Sequence, residues 1–338
     1  MKYQRGGTDH AVAVGRVRVK EKFLFNKDYL FSLADAPNAE TVMDMLAKTN
    51  YGRYFNKPSY QMDYRDVIDG KWRSVRRLYA QIIADADNDI LSFLWCGYDL
   101  HNAKVLLKSM YLNTEPEGLM SIGTVDIEKM KALILKNERP VLPAWIAEGI
   151  SAAKKEFGST KDPREIDIVL DGAYFGFLRR IVGTSGNKFL RDLLVTEIDL
   201  YNIKTFLRMK ARSGEQKYLS RVLVEGGSRS KSFYAGIFAA SGEEIINSFK
   251  GTSYDGLVKA GLAAHAESGS FWKIEKLIDD HTLIFVRQAK HNAFGYEPLI
   301  SYVFARRSEA RALRSIMEGK LADMSPAFIR ERIPEVYV

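Results

Sequence analysis

The chain has 338 residues, 46% apolar and 27% charged, a balance that excludes disorder and collagen-like sequence and allows two or three domains. One cysteine, Cys96, excludes a disulfide framework and a multi-thiolate metal site and fits a reducing compartment. The net charge of +8 peaks in residues 124–230, with 19 basic against 14 acidic groups; these stay interleaved, as on a solvated helical surface rather than a phosphate-tracking groove.

The polar stretch Met1 to His10 has no signal-peptide core, and no apolar run approaches the ~18 residues of a membrane span. A soluble, intracellular protein is expected. Val12 to Val19 is β-branched but basic, one of few strand candidates; Thr282 to Val286 lies inside a longer helical pattern. Ala39 to Lys48 with the next residue sets Val42, Met45, Leu46 and Thr49 on one helical face. Pro143 before Ala-Trp-Ile, Pro298 after Glu297 and Pro326 after Ser325 stand where helices could start, since a first-turn residue has no intrahelical use for its N–H. Phe189 to Lys210 runs about six turns at ~3.6 residues each without proline or glycine, and Leu299 to Met317 behaves alike. The chain reads as all-α.

Two signatures recur in order at roughly hundred-residue spacing. The first is Val67-Ile68-Asp69, Val169-Leu170-Asp171 and Leu277-Ile278-Asp279. The second is Asp99-Leu-His-Asn-Ala-Lys-Val-Leu-Leu-Lys108, matched by Asp199-Leu-Tyr-Asn-Ile-Lys-Thr-Phe-Leu-Arg208. A degenerate third copy, Arg306 to Ser315, keeps the basic position (Lys104, Lys204, Arg311) but has Glu309 in place of asparagine. Gly123-Thr-Val-Asp, Gly227-Ser-Arg-Ser and Met324-Ser-Pro follow as breaks, each with an N-cap candidate. The period is too long for a solenoid. It predicts three similar helical lobes, residues 1–123, 124–230 and 231–338, arranged around a pseudo-threefold axis as a funnel with a central cavity.

Groups for catalysis do not converge. His10, His101, His265, His281 and His291 are scattered and form no His-Glu-x-x-His pair. Residues 181–188 and 225–232 are glycine-rich but lack phosphate-loop spacing, and no nucleophile elbow occurs. Cys96 in an apolar run reads as a small core residue. No enzyme activity, cofactor or metal is expected. The repeated polar positions predict a structural lock inside each lobe: Asp69 with Asn102 and Lys104, Asp171 with Asn202 and Lys204, and Asp279 with Arg311.

The C-terminal block Phe294-Gly-Tyr-Glu-Pro-Leu-Ile-Ser-Tyr-Val-Phe-Ala-Arg306, with Glu309-Ala-Arg311, Ile316-Met-Glu-Gly-Lys320 and the ending Ile329 to Val338, resembles the C subunit of archaeal and bacterial A/V-type ATP synthases, whose eukaryotic counterpart is the d subunit of V-ATPases. Arg16 to Leu24, Ala47 to Gly52 and the repeated Asp-Leu-x-Asn-x-Lys signature are similar to the same family, so the likeness spans about residues 10 to 338. Ser308 departs from it, standing where many relatives carry asparagine. The resemblance implies a non-catalytic central-stalk component: a funnel seated on the membrane rotor ring at the cytoplasmic face, one copy per complex, receiving the foot of the central shaft and transmitting torque for H⁺ or Na⁺ transport. Lys104, Lys204, Arg208, Arg306, Arg307 and Arg311 are then candidates for contact with acidic shaft residues or lipid headgroups. The competing reading is a free-standing basic helical scaffold or nucleic-acid-binding protein, which the pI near 9.2 favours but which lacks an aromatic-basic stacking run.

Overall fold

The structure, a computed structural model, describes residues 10–83, 88–212 and 216–338; Met1 to Asp9 of the polar N-terminal stretch lie outside them. Every regular element among the described residues is helical. In chain order they are α1 (Ala11–Glu21), α2 (Lys27–Asp35), α3 (Ala39–Ala47), α4 (Tyr64–Ile82), α5 (Asn88–Leu112), α6 (Ile127–Leu135), α7 (Ala144–Thr160), α8 (Arg164–Ser185), α9 (Lys188–Ala211), α10 (Gln216–Val222), α11 (Lys231–Gly236), α12 (Gly242–Phe249), α13 (Asp255–Ser268), α14 (Trp272–Arg287), α15 (Glu297–Leu321) and α16 (Pro326–Arg332), with short 3-10 turns between some. None among the described residues is long and apolar enough to cross a membrane.

The starts follow the expected chemistry. Pro143 precedes α7, and Pro298 and Pro326 sit in the first turns of α15 and α16. Asp126, Ser230 and Ser325, the cap candidates in the three breaks, accept backbone N–H groups at the starts of α6, α11 and α16. The strand candidate Val12 to Val19 lies in α1, because Ala13, Val14, Val17 and Glu21 bury one helical face. In α3 the buried face holds Val42, Met43 and Leu46, so Met43 takes the inward place expected of Met45.

The chain divides into two compact units, one formed by Met1–Leu78 with Ala239–Val338, the other by the continuous stretch Tyr79–Phe238. The first is organised on α15, which is buried nearly all round and packs against α1, α2, α3, α14 and α16. Gly319 lets α16 approach α15, because a Cβ there would stand 2.6 Å from Ile329. In the second unit α5 packs on α6, α7 and α8, with α9 laid against α8. Trp145 on α7 stacks on Phe177 of α8 at 5.1 Å between ring centres. Cys96 is fully buried in α5.

Candidate functional site

The recurrent polar positions form three clamps, each a pair of side chains three residues apart on one helix face holding the backbone of a loop. On α5, the Asn102 amide donates to the Met120 carbonyl and accepts from the Met120 N–H, both at 2.8 Å. One turn earlier, the Asp99 carboxylate accepts the N–H groups of Thr124 and Val125, each at 2.9 Å, and the Thr124 hydroxyl at 2.5 Å. On α9, Asn202 embraces Val224 through both amide atoms at 2.8 Å, and Asp199 accepts the Ser228 N–H at 2.7 Å. All four side chains are at most 1% exposed. A buried carboxylate is tolerated because aligned N–H groups replace the water it loses. Gly123 and Gly227 follow from the same geometry: a Cβ at either would collide with the Asp99 or Asp199 carboxylate.

The degenerate third copy does equivalent work with opposite charges. On α15, Arg306 stands at the aspartate position and donates to the carbonyls of Phe23 (3.3 Å) and Lys20 (3.2 Å). Glu309, at the asparagine position, accepts the Phe25 N–H at 2.7 Å and the Tyr51 hydroxyl at 2.7 Å. The two close an ion pair at 2.5 Å, with Arg306 also donating to Tyr302 at 3.0 Å. Burial opposes the Arg306 charge, but Glu309 and the neighbouring tyrosines outweigh it and raise its pKa. Burial and then the Glu309 charge push Tyr51 well above the ordinary phenol value. Each clamp grips a loop just before a helix whose first residue is capped: Asn26 for α2, Asp126 for α6 and Ser230 for α11.

The locks expected at Asp69 and Asp171 are corrected by this arrangement. Asn102 and Asn202 are not lock members, since both amides are occupied by loop backbone. Lys104 donates at 2.6 Å to Asp171, one repeat further along, and Lys108 reaches Asp167 at 2.8 Å. Asp171 also accepts from Tyr201 at 2.9 Å, so its partners are Lys104 and Tyr201 rather than Asn202 and Lys204. Burial first, then the Asp171 charge, raises the Tyr201 hydroxyl pKa. Asp69 is bonded by Arg314 at 3.4 Å, and Arg311 bonds Asp279. Packing thus brings the cations Lys104 and Lys108 of the first copy to the carboxylates of the second, whereas Arg311 and Asp279 pair within the third. Combining Lys104→Ala and Asp171→Ala should show a coupling of about 1–2 kcal/mol, above an exposed pair because both groups are largely covered; denaturation of both single variants and the double one measures it, and additive losses would remove the pair's significance.

Of the basic surface candidates, Arg306 is also corrected: at 2% exposure with every polar edge engaged, it is a core residue. Lys204, Arg208 and Arg307 are half-buried, Arg307 lying 4.6 Å from the Phe304 ring centre, while Arg311 is exposed. What the residue-by-residue reading overlooked was the aspartate opening each second signature. Its signal was available, since Asp99 and Asp199 hold the same place in two signatures that align without a gap, and each is followed by a Gly-Thr or Gly-Ser break.

Beside the third clamp, Lys71 donates to Asn50 and lies 5.2 Å from the Tyr51 ring centre. Burial, then the Arg306 charge, lowers its pKa from 10.5 to about 7. Because the folded value lies below the unfolded one, the unfolded chain binds the extra proton between about pH 7 and 10.5, and stability rises with pH through that window. Stability should therefore increase by roughly 1–2 kcal/mol from pH 7 to 9, and Lys71→Met should flatten that slope. Parallel denaturation curves for both proteins would refute the assignment.

A family model described as ATP synthase (C/AC39) subunit matches residues 13–332. The chain is 24% identical to the C subunit of the A-type ATP synthase of Methanocaldococcus jannaschii, over 95% of this chain and 85% of that protein. It is also 24% identical to the C subunit of the V-type sodium ATPase of Enterococcus hirae, over 95% of this chain and 97% of that protein. The corresponding A-type ATP synthase C subunit of Haloferax volcanii is 22% identical over 97% of this chain and 98% of its own length.

Proposed function

The chain belongs to the ATP synthase (C/AC39) subunit family, and we propose that it acts as the socket coupling the central shaft of a rotary ATPase to the membrane rotor ring. It is a structural, non-catalytic component of an ATP-driven complex. ATP chemistry belongs to the catalytic headpiece and the transported ion, H⁺ or Na⁺, to the ring; this protein sits peripherally at the cytoplasmic face and carries torque between them.

One observation carries the mechanical reading. The clamp on α5 holds the loop opening the second repeat, the clamp on α9 the loop opening the third, and the clamp on α15 returns to the loop before α2, which opens the first. That cyclic head-to-tail order is what three lobes (1–123, 124–230 and 231–338) closing around an axis would require. Clamps built on buried, fully bonded groups resist shear, as a torque-bearing collar must. Lys204, Arg208, Arg307 and Arg311 are then the basic groups proposed to meet acidic shaft residues or headgroups, Arg311 already bonding Asp279 as Lys104 does Asp171.

The test is reconstitution. Vesicles carrying the rotor ring should retain purified shaft proteins only when this chain is added, and the chain alone should hydrolyse no ATP. Shaft retention without the chain would overturn the socket role. Generic duplex DNA binding that weakens steeply with salt would instead favour the nucleic-acid reading.

A further inference from the structure

Several arginines of the first unit have a carboxylate partner. Arg18, Arg306, Arg311 and Arg314 are matched with Glu21, Glu309, Asp279 and Asp69. Arg53, Arg73 and Arg77 are exposed and make no hydrogen bond or ion pair among the described residues, yet all three line one cavity of about 490 Å³. The spacing explains the convergence. Asp66, Arg73, Ser74 and Arg77 recur at helical intervals along α4 and form one wall. The facing wall is the turn carrying Arg53 and Asn56, drawn against α4 because Gly70 has no side chain: a Cβ there would stand 3.1 Å from the Tyr54 ring.

Three guanidinium groups and the polar Ser74 and Asn56 thus face one space, opposed by the single carboxylate of Asp66. Gathering three cations around a concavity, offset only by Asp66 in its lining and by Asp69, on which the Arg73 charge acts, costs free energy that an anion would relieve. Arginine's planar fork suits phosphate oxygens taken two at a time, and the volume is that of a small-molecule site rather than a flat protein contact. We propose that this cavity binds a small ligand bearing two or more phosphate charges, either free in solution or as a lipid headgroup.

The assignment is independent of the socket role and is tested on the purified full chain by calorimetric titration with inorganic pyrophosphate at fixed ionic strength. Sedimentation with phosphatidic acid vesicles, against phosphatidylcholine vesicles, forms the second arm. Arg73→Ala/Arg77→Ala should weaken pyrophosphate binding at least tenfold, Arg53→Gln severalfold, and Arg180→Ala in the other unit not at all. Loss of phosphatidic acid binding in the double variant, with no pyrophosphate binding by the parent, would assign the lipid headgroup as the source. Since these side chains make no hydrogen bond or ion pair among the described residues, the variants should melt close to the parent, so lost binding would not reflect unfolding. Binding unaffected by the substitutions, or absent in both arms, overturns the proposal. So does capture of poly-glutamate alone, which would make the cavity a protein-docking surface.

Discussion

Glu309→Ala should be the most damaging single substitution considered, costing about 3–5 kcal/mol. It strands the Arg306 guanidinium at 2% exposure without its counter-charge and leaves the Phe25 N–H and the Tyr51 hydroxyl without an acceptor. Most of that loss is the penalty of an uncompensated buried charge, not the worth of the pair. Replacing both residues with apolar groups, Arg306→Met/Glu309→Leu, should therefore recover part of the stability relative to Glu309→Ala. Hydrogen exchange should quicken at residues 23–26, where the loop enters α2. A variant within 1 kcal/mol of the parent, or a double variant no better than the single one, would show that the buried ion pair does not organise this unit.

Asp99→Ala should come second, at about 3 kcal/mol, because it removes three charge-assisted hydrogen bonds and leaves the Thr124 and Val125 N–H groups seeking water in a closed site. Amide exchange at those two residues should accelerate by roughly two orders of magnitude, the factor that ~3 kcal/mol of local protection represents. Asp199→Ala should act at Ser228 in the same direction, since the carboxylate there accepts the Ser228 N–H at 2.7 Å. Gly123→Ala should mimic Asp99→Ala by pushing the carboxylate from its seat. Unchanged protection at Thr124 and Val125 would mean that the loop is held by something other than Asp99.

Local chemistry was the legible part of the fold. Proline at the start of α7 and in the first turns of α15 and α16, and the caps Asp126, Ser230 and Ser325, act within one helical turn and need no tertiary context. The repeated signatures were legible too, because the first two copies perform the same task on the loop that follows each in sequence. Which copy meets which was not. Lys104 is separated from Asp171 by 67 positions, and only the packing of α5 on α8 brings them together. Arg306 was misjudged for a related reason. Arginine is seldom fully buried unless paired, and its partner Glu309 was read as a lapse from asparagine when it compensates for the arginine three residues earlier. Val12 to Val19 misled through composition, since β-branched residues favour strands until a neighbour covers the helical face.

The third clamp also sets an order of events during synthesis. The segment it grips, residues 20–25 from the end of α1 towards α2, leaves the ribosome well before Glu309, which follows 284 positions behind Phe25. Tyr79–Phe238 is contiguous and can pack while translation continues. The discontinuous unit cannot finish until α15 has been made, so a truncated product lacking that helix would leave the N-terminal segment open to proteases and chaperones.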